Sequence, residues 1–313
     1  MCRKARTRWV EVAGKIKNAC MRTAHTLYAA TACLIWFDEN MKRQKIIVPY
    51  SIVSPSDIIF TLDFLSNNEL QTARSCHEDI QDILHTSERI KSLTCFSQED
   101  FTQAKKEIQN YSEKGFSPLL HIHGHGDREK GVKLPQSDKY ISWEEWLDFF
   151  SSIKPKNGNL TVIMSCCYSY TIVDLFHKKK TLYLPFAFFY GYEIEISSGI
   201  IEDEVKCINN SLFKDDGKSL MDIISNMHIK LFSEFDYMNN LISIILTEDN
   251  IGEMRNNLVL KMPKSVASSA RKSFNYIFRD NPVKLIDILA QKVIQNPSRR
   301  KIYLDKIQEQ ISH

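Results

Sequence analysis

An α/β fold, with a mostly parallel sheet covered by helices on both faces, is predicted by three features of the sequence. Apolar runs alternate with amphipathic helical stretches through the middle of the chain. One run, Leu160–Met164, is apolar or β-branched throughout, as a strand buried on both faces requires. Glycine (10) and proline (9) are scarce among the 313 residues, which leaves little of the chain for linkers.

In chain order, residues 8–36 space Trp9, Val12, Ala13, Ile16, Ala19 and Cys20 roughly as a helix does. Residues 1–41 are therefore expected to be a helical extension ahead of the main domain, 42–262. Within that domain, Lys45–Val48 and Asp57–Asp63 are predicted strands. Glu69–His85 is a predicted helix with Leu70, Ala73, Cys76, Ile80, Ile83 and Leu84 on its apolar side. Ile90–Phe96 reads as the next strand, and Ser97 starts a helix with Glu99 and Asp100 in its first turn. Ser117–Ile122 is a short apolar segment ending in histidines. Ser142-Trp-Glu-Glu145 has the spacing of a capping box and opens a helix with Trp143, Trp146, Leu147, Phe150 and Ile153 inward. Leu160–Met164 stops at Ser165-Cys166-Cys167. Pro185–Tyr192 is an aromatic strand, Ile201–Phe213 a helix, and Leu241–Leu246 the last strand predicted. Residues 263–313 form a basic helical extension, where Asn281-Pro282 and Asn296-Pro297 place proline at the first helical position.

Composition narrows the function classes. Net charge is +3, too weak to argue for nucleic acid as a partner. Residues from Lys264 onward carry +6 and the remainder −3, so the tail presents a basic face, which reads first as solvated. Eight cysteines are scattered with no CxxC pair, as in a reduced, cytoplasmic setting. The apolar run Leu27–Phe37 is too short to span a bilayer, so no transmembrane segment is expected.

Chemistry is expected at the carboxyl ends of the strands, where parallel sheets collect function. His121, His123 and His125 stand at alternate positions in HIHGHGD, and Cys166-Cys167 ends another strand. One strand–helix–strand unit joins the two ends, so they are candidates for neighbours about 4.8 Å apart. An imidazole beside a cysteine can take the thiol proton and later protonate a leaving amine. Backbone N–H groups after the histidine and at the cysteine could receive the developing oxyanion.

An apolar strand ending in His-Gly, then a helix, then an apolar strand ending in a small residue and Cys, resembles the clan CD cysteine peptidases. These include caspases, metacaspases, separases and CHAT domains. SPLLHIHGHGD is similar to the CHAT and metacaspase histidine segment, and LTVIMSCCYSY to the CHAT Ser-Ala-Cys and metacaspase Asp-Cys-Cys-His-Ser segments. The resemblance implies a caspase-like three-layer sandwich and a cysteine endopeptidase using no cofactor. Cys167 would be the nucleophile, His125 its partner, and Gly126 and Cys167 the oxyanion donors. The segment after the aromatic strand would wall the substrate pocket, which makes Tyr192, Glu193 and Glu195 candidate substrate-binding residues. Expected partners are a protein substrate and a regulatory or activator protein. CHAT resemblance further implies a regulated prokaryotic protease in antiviral defence or cell death.

The chain departs from the family at two places. Ser165 stands where metacaspases have Asp, and Tyr168-Ser169-Tyr170 where a glycine is common after the nucleophile. Two other readings stay open. His121 and His123 share one face of a strand, as metal ligands of a hydrolase do, or as packed core histidines do. The domain could also be a catalytically inactive caspase-like interaction module.

Overall fold

The computed structural model describes residues 56–66, 69–84, 89–155, 158, 160–179, 183–213, 223–246 and 282–312. The expected strand Lys45–Val48 and the extension 1–41 lie outside the described residues. So does residue 262, the expected end of the main domain. Of the described residues, 56–237 with 292–297 form one compact unit, and 238–246, 282–291 and 298–312 another.

The first unit is an α/β sandwich. Its elements are β1 (Ile58–Phe64), α1 (Leu70–Leu84), β2 (Ile90–Thr94), α2 (Gln98–Glu113) and β3 (Pro118–Gly124). A small antiparallel ribbon follows, β4 (Gly126–Asp127), β5 (Gly131–Lys133) and β6 (Tyr140–Ile141). Then come α3 (Trp143–Ser152), β7 (Thr161–Ser165), α4 (Thr171–Lys178), β8 (Phe188–Gly191), α5 (Ser198–Phe213) and β9 (Lys230–Ser233). The main sheet has the order β2-β1-β3-β7-β8-β9. Its pairings are parallel except at β9, which runs antiparallel to β8. The predicted mostly parallel sheet with flanking helices is therefore present.

Alternation sorts side chains to the two faces. Phe64 of β1 packs edge-on against Phe101 of α2 and Trp146 of α3, with ring centroids 5.6 and 5.5 Å apart. The aromatic layer continues through Phe150 to Phe186 and Phe189. Thr61 and His121 point the other way, to His77 and Cys76 of α1. α5 packs beside α1 on that face, where Asn209 also reaches Cys76.

Helix starts follow their caps. Ser97 and Asp100 form a complete capping box at α2. At α3 only half the expected box is made. Ser142 accepts from the Glu145 N–H, but the Glu145 carboxylate turns to Gln98 (2.8 Å) and Lys105 (3.7 Å) instead.

Leu241–Leu246 is a correction. It lies within a helix, α6 (Glu234–Leu246), and the last strand of the sheet is β9. Ser233 and Asp236 exchange hydrogen bonds in a capping box that starts the helix. Phe235, Met238 and Leu241 are buried at helical spacing. A short apolar run has no period of its own to separate strand from helix. Both proline-led helices of the tail are present, as α7 (Pro282–Val293) and α8 (Pro297–Ser312).

Glu204 anchors α5 to the segment before β9. Its buried carboxylate accepts from His228 N (2.7 Å), His228 Nδ1 (2.8 Å) and Ile229 N (3.1 Å). Glu204→Ala leaves the buried Ile229 N–H without its acceptor, so chemical denaturation should show a loss of about 2–4 kcal/mol.

Candidate functional site

β1, β3 and β7 lie side by side, and their carboxyl ends meet at a cleft of about 550 Å³. From β1 the chain steps to β2 on one side, then crosses back over β1 to β3 on the other and continues that way to β7. The cleft thus sits at a topological switch point. Leu65 lines it after β1, Gly124 at the end of β3 and His125 just beyond it, Cys167 after β7, Glu69 just before α1 and Ser75 from α1. Ile196, Ser198, Ile201 and Glu202 close the opposite wall.

Register puts three polar side chains in a row across the sheet. Asp63 pairs with His123, and His123 with Ser165. All three are buried, and His123 and Ser165 also line the cleft. Burial pushes the Asp63 carboxyl up to about 6, against the hydrogen bond from Leu65 N–H and the charge of Arg74. Burial also lowers His123 to about 4 and holds His121 well below the ordinary imidazole range, so both rings are neutral at pH 7.

His125 stands just beyond β3, with its side chain 60% exposed. Its Nε2 lies 3.0 Å from Glu69 Oε1, at the mouth of α1. Glu69 is held below the ordinary carboxylate range, first by the Ser66 hydroxyl (2.6 Å) and then by His125. The remaining ring nitrogen is the one available to a reaction partner.

Cys167 sits in the turn after β7. Its Sγ accepts from Ile196 N–H (3.4 Å) and lies 3.5 Å from Ile196 O, which fixes the sulfur against the cleft wall. The next residue, Tyr168, has φ of 60°, a left-handed conformation uncommon outside glycine. Ser169 secures the turn from below. Its buried hydroxyl donates to Met164 O (2.9 Å) and accepts from Tyr192 N–H (3.0 Å). The chain therefore makes this sharp turn without glycine. Cys166, by contrast, is wholly buried, and burial drives its thiol far above the ordinary range.

Gly126 meets the Cys167 backbone so closely that a Cβ on it would lie 1.9 Å from Cys167 O. The two expected oxyanion residues are thus in contact. Of the expected substrate-binding residues, Tyr192 is fully buried and Glu193 and Glu195 are exposed. None of the three lines the cleft; Ile196 and Ser198, farther along the same segment, do.

Three residues of this region were not singled out as functional in the sequence: Glu69, Cys76 and Asn209. Cys76 was legible only as part of the apolar side of α1. Its Sγ lies 3.3 Å from His121 Nδ1 and accepts from Asn209 Nδ2 at 3.3 Å. Cys76, His121 and His123 each bring one ligand atom within 4.8 Å of the others, all buried.

No protein-family model and no curated protein matches this chain. Among the described residues, no helix is long and apolar enough to cross a membrane.

Glu69 should act by positioning the imidazole. The pair is roughly half exposed, and such pairs contribute about 1 kcal/mol or less. Glu69→Gln should therefore free the ring's orientation while costing about 1 kcal/mol of stability or less in chemical denaturation.

Proposed function

We propose that the chain is a caspase-like cysteine endopeptidase of clan CD, cleaving a partner protein with a Cys167–His125 dyad. One observation carries the reading. His125 and Cys167 follow the ends of hydrogen-bonded parallel strands and open onto one cleft, with Gly126 packed on the Cys167 backbone. An acyl-transfer site needs a nucleophile and a base opening onto one space, and this shared cleft supports the reading.

In the proposed reaction, His125 takes the Cys167 thiol proton as sulfur attacks the scissile carbonyl carbon. The carbonyl oxygen gains the negative charge and is received by the Gly126 and Cys167 N–H groups. The C–N bond then breaks, His125 returns the proton to the leaving amine, and a thioester remains on Cys167. Water, deprotonated by His125, attacks the thioester. The acid product leaves, and the sulfur recovers its proton. Resemblance to CHAT domains extends the proposal to a regulated protease of antiviral defence or cell death, switched by an activator protein and working in the cytoplasm.

The cleft walls combine apolar Leu65, Ile196 and Ile201 with acidic Glu69 and Glu202. A mixed preference at P1 follows, rather than strict Arg or Lys. A peptide-library profile should show it, and Glu193→Ala or Glu195→Ala should leave the profile unchanged. Catalysis itself is tested by cleavage and thiol labelling of wild-type, Cys167→Ala and His125→Ala chains. Wild-type activity lost in both variants supports the dyad, and activity retained in either contradicts it.

A further inference from the structure

We infer that Cys76, His121 and His123 form a binding site for a zinc-class cation, between β3 and the α1–α5 layer. His121 and His123 project to the same face of β3, with ring centroids 4.4 Å apart. Cys76 comes down on them from α1, its sulfur 3.3 Å from His121 Nδ1. Ligand atoms around tetrahedral zinc lie about 3.4–3.6 Å apart, given bonds of about 2.1 Å to nitrogen and 2.3 Å to sulfur. The three donors stand within 4.8 Å of one another, so small side-chain rotations bring them to that spacing.

Hydrogen bonding alone accounts poorly for the cluster. Among the described residues, His123 Nε2 is buried without a partner, and so is the neighbouring Ser165 hydroxyl. Leaving such a nitrogen unpaired costs about 1–3 kcal/mol, which a cation would remove. The Asn209 amide already points a donor at the Cys76 sulfur, as partners of zinc thiolates do. Thiolate and imidazole select zinc or cobalt over magnesium or calcium. Binding exchanges the Cys76 thiol proton for the metal, with no oxidation. Three protein donors leave the fourth position to water.

The site's role is structural. Cys76 lies on the same helix that Glu69 precedes, and Glu69 holds His125. A cation joining Cys76 to β3 would fix α1, and through it the Glu69–His125 contact. It takes no part in the proposed dyad chemistry, so peptide cleavage should survive chelation while thermal stability falls.

The test uses the full chain loaded with Co(II) alone. About one equivalent should bind and give a thiolate-to-cobalt band in the near ultraviolet with tetrahedral d–d bands in the visible. Cys76→Ser should lose the thiolate band, and His123→Ala tight binding. Asn209→Ala should weaken binding by about 10–100-fold. Cys167→Ala should keep the whole spectrum. Metal-free variants are compared with metal-free wild type by circular dichroism, and Asn209→Ala, which keeps every ligand, provides a milder change. A spectrum unchanged by Cys76→Ser, one lost in Cys167→Ala, or no bound cobalt would overturn the site. None of these readouts needs proteolysis, so failure of the metal site and failure of the dyad are told apart.

Discussion

Cys167→Ala and His125→Ala should each reduce peptide cleavage by about 10³-fold or more, whereas Cys166→Ala should keep most of it. Nucleophile and base act as one unit, so removing either is as costly as removing both. Cys166 is adjacent in sequence but different in environment. It is wholly buried and its thiol is driven well above the ordinary range, while Cys167 is partly exposed in the cleft. Cys166→Ala removes one buried sulfur and should cost about 1–2 kcal/mol of stability with activity retained. Cleavage assays on purified, folded variants decide this. Activity in Cys167→Ala together with its loss in Cys166→Ala would shift the nucleophile by one residue.

Gly126→Ala should be nearly as damaging, by a different route. The added methyl would fall 1.9 Å from Cys167 O and 2.9 Å from its carbonyl carbon, both backbone atoms that cannot rotate aside. The β4 segment or the Cys167 turn must move, and misplacement by about 1 Å costs on the order of 10²-fold in rate. The strand Gly126–Asp127 is held to Gly131–Lys133, and Lys133 N–H bonds to His125 O, so the displacement reaches the histidine as well. KM and kcat of the folded variant, with its melting temperature, measure both consequences.

The parallel sheet was legible because β1, β3 and β7 are buried along their lengths, and such strands advertise themselves as apolar runs. The helix starts at Ser97, Pro282 and Pro297 were legible for a local reason, since caps are written within four residues. Leu241–Leu246 reads as a strand because a six-residue run with five apolar members carries no clear period, and the signal that decides it, the Ser233–Asp236 cap, lies upstream. Within the site, the two strand ends can be picked out from the sequence, and the resemblance to clan CD peptidases is what selects His125, Gly126 and Cys167 there. The neighbours of Cys76 could not. His121 is 45 residues away and Asn209 is 133, and no local pattern records which helix face meets which strand. The same holds for Glu69, paired with a histidine 56 residues on. The left-handed turn at Tyr168 was hidden as well, since the residue there is not glycine.

Reaction of the wild-type chain with a peptide-based electrophile that alkylates activated thiols, read by mass spectrometry, tests the dyad most directly. Cys207 is exposed and Cys167 is in the cleft, so simple alkylating agents can reach both, and dependence on His125 separates the catalytic thiol from the accessible one. A single adduct on Cys167 is expected, formed rapidly in wild type and lost or greatly slowed in His125→Ala, with Cys207 unchanged between the two. An adduct on Cys166, or labelling of Cys167 at the same rate in His125→Ala, would contradict it.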